Sequence, residues 1–309
     1  MTSSLSSLLL NTILFPILVI LFTVPRRMIA LDPVCRTKCG QLEVKYPLGS
    51  GCGCGSPRFH PYVTCTPASD QLLLTTHTGS YPITSISYTT STLTITPPSM
   101  STCTSMQPSK TKLGLDWASP FQLGPSTFIL LSCAPPTSSL TIKGTPICDP
   151  SPSYLCASIY TCPAVVSIGL PLFPPTNTCC IYSPANLNTK DELDLNALKC
   201  SGFASIVSLG QVPTDPSQWE YGVALKYTLG GWDSYNSATS CHDCEMSDGV
   251  CGYAPPGNSF VCVCKDGFNT TTDCYNYNRL QGIIFSSTSQ STWKIWLAIL
   301  AGLILCITR

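Results

Sequence analysis

The chain has 309 residues, and charged side chains make up only 10% of them. Sixteen Lys and Arg side chains balance sixteen Asp and Glu side chains, so the formal net charge is zero. Gly and Pro together supply 48 residues, a composition that favours short strands and turns over long helices or charged disorder. The balanced charge also gives no indication of a nucleic-acid partner.

The N-terminal residues have the pattern of a secretory signal. Residues 8–24 are almost wholly apolar and are interrupted by Pro16, and cleavage after Ala30 would make residues 1–30 a signal peptide. An uncleaved signal anchor is the alternative, because no Lys or Arg precedes the apolar run. The cysteines that follow favour the secretory pathway, because its lumen is oxidising.

Several later segments have the β-branched and aromatic composition of strands. Residues 86–95 lie between Pro82 and Pro97 and are predicted to form a strand or a hairpin. The other predicted strands are residues 128–131, 203–209 and 221–229. Residues 191–198 are predicted to form one short helix, with their acidic side chains on its solvated face.

Cysteine is the most informative residue type, with nineteen of the twenty falling between Cys35 and Cys274. Structural zinc is one explanation, because the pairs at residues 241 and 244 and at 262 and 264 have spacings similar to those of zinc ligands. Zinc ribbons, however, prefer two intervening residues in both pairs, and a secretory signal favours disulfides. We therefore predict a disulfide framework with no metal and no other cofactor.

The last six of these cysteines form a compact cluster: Cys241, Cys244, Cys251, Cys262, Cys264 and Cys274. The final Cys-x-Cys element, with Lys-Asp-Gly-Phe after it at residues 265–268, resembles the second half of an EGF-like module. The pairs that this resemblance implies are Cys241–Cys251, Cys244–Cys262 and Cys264–Cys274. No acidic run precedes the cluster, so no calcium site is predicted. The sequon at Asn269 predicts N-glycosylation in an exposed loop.

A series of short motifs follows the first cysteine. In chain order they are Cys35-x3-Cys39-Gly40, Tyr-Pro-Leu-Gly at residues 46–49, Gly-Cys-Gly-Ser-Pro-Arg-Phe at 53–59, Thr-Cys-Cys at 178–180 and Lys-Cys-Ser-Gly-Phe-Ala at 199–204. In this order they resemble the extracellular part of plant wall-associated receptor kinases, over about residues 35–275. Leu48 stands where that family usually has Phe, and no kinase motif occurs. Cys52 lies outside the family pattern and is predicted to be free or to pair between chains.

This resemblance implies both a fold and a ligand. The implied fold is all-β and disulfide-rich, with two small lobes and a C-terminal EGF-like cysteine module. The implied ligand is pectin, a polygalacturonate, which would be bound by cations spaced along a surface with aromatic rings beside the sugars. The cations predicted to bind it are Arg36, Lys38, Lys45 and Arg58. The interleaved Tyr46, Phe59, His60 and Tyr62 either join that surface or fill the core.

The charge distribution favours the same part of the chain. Residues 31–150 hold seven Lys and Arg against five Asp and Glu, whereas residues 151–292 hold five against eleven. The first region is therefore the better candidate for an anionic partner.

No catalytic motif accompanies these features. The histidines His60, His77 and His242 lie in no recognised motif, and neither Gly-x-Ser-x-Gly nor His-Glu-x-x-His occurs. We therefore predict a protein that is not an enzyme and that binds pectic galacturonan at the cell surface. Two alternatives stay open: a co-receptor or decoy that contacts a kinase-bearing relative, and a structural wall protein.

The C-terminal residues predict a membrane attachment. The apolar run at residues 295–307 has 13 residues, whereas a transmembrane helix needs roughly 20. A GPI-attachment signal fits this pattern, and a single membrane helix is the alternative. The predicted location is the outer face of the plasma membrane or the cell wall.

The predicted segments after the signal peptide are a galacturonan-binding-like domain at 31–150, a second β-rich region at 151–240, the EGF-like module at 241–275, a polar stalk at 276–294 and the hydrophobic tail at 295–307.

Overall fold

The computed structural model describes residues 35–109, 112–149, 151, 153–182, 192–230, 235–254, 258–265 and 269–275. The predicted signal peptide, polar stalk and hydrophobic tail lie outside these residues. Within the described part of the chain, no helix combines the length and the apolar character needed to cross a membrane.

Short strands account for most of the regular structure. The strands of the first half are β1 (Lys38–Cys39), β2 (Leu42–Glu43), β3 (Val63–Thr66), β4 (Gln71–Thr76), β5 (Gly79–Ser87), β6 (Thr92–Ile95), β7 (Leu113–Gly114), β8 (Phe121–Leu123), β9 (Thr127–Cys133), β10 (Thr141–Ile142) and β11 (Thr145–Pro146). Those of the second half are β12 (Cys180–Tyr182), β13 (Glu192–Leu193), β14 (Cys200–Ser208), β15 (Glu220–Tyr221), β16 (Val223–Tyr227), β17 (Val250–Ala254), β18 (Ser259–Val263) and β19 (Asn269–Thr270). The α-helices are α1 (Ser153–Ile159) and α2 (Tyr235–Met246), and 3-10 helices span Thr137–Ser139, Pro163–Ile168, Thr176–Thr178 and Pro216–Gln218.

Two larger antiparallel sheets form the centre of the molecule. The first has six strands in the order β3-β4-β5-β6-β16-β8, and the second has four in the order β12-β9-β14-β15. A three-stranded sheet, β17-β18-β19, lies in the cysteine-rich C-terminal module, and β1-β2, β10-β11 and β13-β7 form two-stranded sheets. The predicted all-β, disulfide-rich fold is confirmed.

The second sheet is buried on both faces, which explains the apolar run in β9. Phe128 and Leu130 belong to one core cluster, together with side chains of the six-stranded sheet. Ile129 and Leu131 point to the other face, and there they join a second cluster that includes Leu155 of α1. A strand with no polar face must lie between two packed layers, since successive side chains point to opposite sides.

The regions before and after residue 150 fold together. Strand β16 lies between β6 and β8 and pairs with both, and β14 pairs with β9 along most of its length. Between β15 and β16 the chain passes from one sheet to the other at Gly222, where an added Cβ would lie 2.3 Å from Thr94 Cγ2. Both large sheets therefore contain strands from each side of the boundary that the sequence suggested.

The predicted strands at residues 86–95, 128–131, 203–209 and 221–229 overlap β5–β6, β9, β14 and β15–β16, and the third and fourth predictions extend one and two residues past the observed strand ends. The helix predicted at residues 191–198 is wrong. Glu192 and Leu193 form β13 and pair with β7, and the chain then turns, with Leu198 N donating to Asp194 O at 3.1 Å. Leu193 and Leu195 are both buried, and their spacing of two residues is the period of a strand.

Nine disulfides connect the described residues. The pairs are Cys35–Cys54, Cys39–Cys65, Cys103–Cys162, Cys133–Cys200, Cys148–Cys180, Cys156–Cys179, Cys241–Cys251, Cys244–Cys262 and Cys264–Cys274. Two of them close long loops, with sequence separations of 59 and 67 residues. Such bonds restrict the unfolded chain most strongly in the chain-entropy description of disulfide stabilisation.

Candidate functional site

The N-terminal motif segment is packed backbone against backbone. Its disulfides link Cys35 to Cys54 and Cys39 to Cys65. A Cβ added at Gly49 would lie 2.4 Å from the Cys54 carbonyl, and one added at Gly55 would lie 2.7 Å from Gly49 N. The Tyr-Pro-Leu-Gly and Gly-Cys-Gly motifs therefore both need glycine for the close approach of their backbones. Cys52 is exposed and has no disulfide partner in the described structure.

The same motif docks on the cysteine-rich C-terminal module. Gly55 N donates to Cys251 O at 2.8 Å, and Tyr253 N donates to Gly53 O at 2.8 Å. The two segments also form an isolated antiparallel bridge between Cys54 and Gly252. The N-terminal motifs and the C-terminal module are therefore adjoining parts of one surface.

Three of the four predicted cations lie around the first hairpin, and each has an acidic neighbour. Arg36 Nη1 lies 4.0 Å from Asp70 Oδ1. Lys45 Nζ lies 3.1 Å from Glu43 Oε1, and Lys38 is opposite Glu43 in the register of β1 and β2. Because all three cations are at least partly exposed, these ion pairs are weak and a polyanion can compete with them.

Arg58, the fourth predicted cation, is fixed at a different place. Its Nη1 donates to Thr228 O at 2.9 Å. The side chain also lies against Gly230, where an added Cβ would come within 2.6 Å of Nη1. Arg58 therefore joins the N-terminal motif to the segment after β16, which gives it a positioning role.

The predicted aromatic residues divide between core and surface. Phe59 is fully buried, with ring centroids 5.5 Å from Phe121 and 5.7 Å from Tyr227 in edge-to-face geometry. Tyr62 is half-buried and packs 6.4 Å from Phe121. Phe59 thus fills the core, whereas the half-buried Tyr46 faces a cleft.

This cleft has a volume of about 200 Å³ and opens beside α2. It is lined by Tyr46, Pro47, Tyr88, Ser91, Tyr227, Leu229, Cys241, His242 and Glu245. Sequence reasoning missed it, because its side chains come from segments more than 100 residues apart. Tyr46 and Pro47 were identified from the sequence in one motif and Cys241 in the cysteine cluster, and only Tyr46 was considered as part of a binding surface.

A charged cluster lies at another place, where three chain segments meet. His77 Nδ1 contacts Asp116 Oδ1 at 2.5 Å, and His77 Nε2 lies 3.2 Å from Glu192 Oε1. Lys112 Nζ lies 3.3 Å from Glu192 Oε2 and 3.1 Å from Asp194 Oδ2. Glu192 is buried, so the carboxylates that the sequence placed on a solvated helix face partly belong to this cluster instead.

Contacts within this cluster raise the pKa of His77 and lower the pKa values of Glu192 and Asp194, so the charged form of each side chain is favoured. The hydrogen bond to Asp116 is the main reason why the pKa of His77 lies above its usual value, and Glu192 adds to the effect. Burial alone would raise the pKa of Glu192, but the bonds from Lys112 and His77 outweigh it and lower that pKa. The pKa of Asp194 is lowered first by the Ala197 backbone N–H.

This geometry predicts a pH-dependent contribution to stability. The pKa of His77 is raised on folding. Its contribution to the free energy of unfolding is therefore complete below a pH of about 6.5 and is lost as the pH rises through the folded-state pKa. The side chain is 40% exposed, so we expect a loss of at most about 1 kcal/mol. Urea unfolding at pH 6 and pH 8 should show this loss in the native protein and not in His77→Gln. An unchanged pH dependence in His77→Gln would contradict the assignment, and His242→Gln serves as the control.

The C-terminal module contains the same three pairs that the EGF-like resemblance implies: Cys241–Cys251, Cys244–Cys262 and Cys264–Cys274. All six sulfurs are bonded, so none is a thiolate that could bind zinc. The two groups of potential metal ligands in the described structure, around Cys262 and around Cys39, likewise consist mainly of disulfide sulfurs. Asn269 is exposed in β19, and its glycosylation stays a prediction.

Together these features define a class: a cysteine-rich β protein of the extracellular type, with a basic N-terminal region docked on a disulfide-bonded C-terminal module. Comparison with known proteins shows which families the sequence of this chain resembles. Residues 35–97 match a family described as wall-associated receptor kinase galacturonan-binding, and residues 183–267 match one described as wall-associated receptor kinase C-terminal. The predicted resemblance to the extracellular part of these receptors is confirmed, and it indicates an extracellular or cell-wall location.

One curated relative has a longer chain. Wall-associated receptor kinase-like 20 of Arabidopsis thaliana is 30% identical over 199 residues, which cover 62% of this chain and 28% of that protein. The similarity therefore spans less than a third of the relative's length. No solved structure matches the chain.

Proposed function

We propose that this protein binds cell-wall polysaccharide, in particular pectic galacturonan, without catalysis. The observation that carries the proposal is the match of residues 35–97 to a galacturonan-binding family, in the segment where the sequence concentrates its cations. Residues 35–62 hold four cations and a single carboxylate, Glu43, which leaves a net charge of +3. Galacturonan carries one carboxylate for each unesterified sugar, so the charges of the two partners are complementary.

The hairpin formed by β1 and β2 is exposed, which is consistent with a binding surface that a ligand reaches from solvent. Arg36 and Lys45 form weak ion pairs with Asp70 and Glu43, and Lys38 lies opposite Glu43 in the hairpin. A polyanion would bring more negative charge than these two carboxylates supply. Arg58 holds the segment after β16 at a different place, so the proposed hairpin surface consists of the other three cations.

The proposed location is the outer face of the plasma membrane, in contact with the wall. A GPI anchor or a membrane helix would hold the protein there, with the polar stalk between the anchor and the disulfide-bonded domain. Two observations are consistent with this arrangement: the resemblance to a receptor's extracellular part and the nine disulfides, which require an oxidising compartment.

Reversing the three hairpin cations together, as Arg36→Glu, Lys38→Glu and Lys45→Glu, is predicted to weaken galacturonan binding at least tenfold, which corresponds to about 1.4 kcal/mol. The reason is that the surface changes from attraction to repulsion of carboxylates. Titration of polygalacturonate by isothermal calorimetry at low salt would measure the effect.

A matched control separates local charge from total charge. The variant Lys143→Glu, Lys199→Glu, Lys226→Glu changes the net charge by the same amount at exposed positions outside the hairpin. Its affinity should fall much less than that of the hairpin variant. Equal affinities for the native protein and the hairpin variant would reject these cations as the binding site.

A further inference from the structure

The cleft beside α2 is formed jointly by the two parts of the chain that match different families. Tyr46, Pro47, Tyr88 and Ser91 come from the galacturonan-binding match, and Tyr227, Leu229, Cys241, His242 and Glu245 come from the C-terminal match. Ligand sites occur preferentially where two domains meet. The volume of about 200 Å³ is below the usual range for drug-sized ligands, so the cleft suits one sugar ring of a longer chain.

Two of the tyrosine side chains that line the cleft, Tyr88 and Tyr227, are held in place by contacts with the rest of the protein. Tyr88 OH accepts a hydrogen bond from Lys45 N at 2.8 Å and donates one to Glu43 O at 3.0 Å. Tyr227 is buried and packs edge-to-face on Phe59. Side chains held in this way lose little conformational entropy when a ligand binds.

Glu245 supplies the carboxyl group that lines the cleft. Its Oε1 accepts a hydrogen bond from Tyr46 N at 2.8 Å, and the side chain is partly exposed where it lines the cleft. Burial raises the pKa of Glu245, whereas the bond from Tyr46 and the charges of Lys45 and His242 oppose the rise, and Glu43 adds to it. The carboxyl group therefore takes up a proton more readily than an exposed glutamate as the pH falls.

We infer that this cleft binds one uronic acid unit of the polysaccharide, with the partly exposed Tyr46 and Tyr88 against its apolar face and the Glu245 carboxyl group against its carboxylate. The inference rests on the proposed function and adds to it a site and a mode of regulation. With Glu245 ionised, two carboxylates face each other and repel. With Glu245 protonated, its O–H donates a hydrogen bond to the sugar carboxylate, which stays ionised down to a pH of about 4.

Two consequences distinguish this site from general attraction to the cationic hairpin. Binding of unesterified oligogalacturonate strengthens as the pH falls from 7 to 5. Binding of a fully methyl-esterified oligomer depends much less on pH, because the ester carries no charge to be repelled.

The test compares the full chain with Glu245→Gln, by calorimetric titration of an oligogalacturonate at pH 7 and pH 5. The Gln side chain keeps the acceptor for Tyr46 N and is a neutral donor at both pH values. The native protein should bind more tightly at pH 5 than at pH 7, and Glu245→Gln should bind tightly at both. Asp243→Asn, on the same helix and exposed, should behave as the native protein does.

The outcomes separate this inference from the proposed function. If no variant binds galacturonan at either pH, the proposed function fails. If the native protein and Glu245→Gln bind with the same pH dependence, the cleft is rejected while the proposed function stands. His242 lines the same cleft, so loss of the pH dependence in His242→Gln but not in Glu245→Gln would also overturn the role of Glu245.

Discussion

Gly252→Ala should destabilise the protein by about 3 kcal/mol, at the upper end of the cost of overpacking. An added Cβ would lie 2.1 Å from Gly53 O, and this obstacle is backbone rather than a flexible side chain. Relief would require the docked segments to separate, with loss of the bonds from Gly55 N to Cys251 O and from Tyr253 N to Gly53 O. Denaturant unfolding under oxidising conditions measures the difference.

Gly169→Ala is the matched control. Gly169 has a φ of +81° and no atom within 4 Å of an added Cβ, so alanine there meets conformational strain but no clash, at a cost of about 1–2 kcal/mol. A smaller loss in Gly252→Ala than in Gly169→Ala would contradict the described docking of the N-terminal motif on the C-terminal module.

Phe59→Ala should cost about 3–5 kcal/mol, the usual range for removing a fully buried aromatic ring. The Phe59 ring fills the space between Phe121 and Tyr227, so its loss leaves a cavity in the main core and removes the support behind one wall of the cleft. Thermal and denaturant unfolding would measure the loss.

Trp117→Ala is the appropriate comparison, because it also removes a large aromatic ring. Trp117 is 90% exposed, and its replacement should change stability by no more than about 0.5 kcal/mol. Similar losses in the two variants would show that Phe59 is not the core residue that the structure describes.

The strands were predictable where the sequence alternates or concentrates β-branched residues, as in β5, β6 and β9. The helix α2 was not, because its buried anchors are cysteines rather than an apolar stripe. Cys241 and Cys244 are three residues apart, which places them on one helical face, and both bond to the sheet of the same module. The three-residue spacing of these cysteines is compatible with a helix, but no helix was predicted in this segment from the sequence.

The cations of the candidate site could be read from the sequence because they are local, within 23 residues of one another. Their ion pairs could not, since Asp70 reaches Arg36 only through the folding of β3 and β4. The cleft was beyond prediction for the same reason: Tyr88 and Glu245 meet only because the Gly-Cys-Gly motif docks on the C-terminal module.

The central claim is that this protein recognises the charge of pectic galacturonan. The most direct test is the affinity of the purified native protein for polygalacturonate and for an uncharged galactan, measured at low and high salt. The claim predicts binding to polygalacturonate that weakens as salt screens the charges, with little binding to the galactan. Absence of binding to polygalacturonate at low salt, or equal affinity for both polysaccharides, would contradict it.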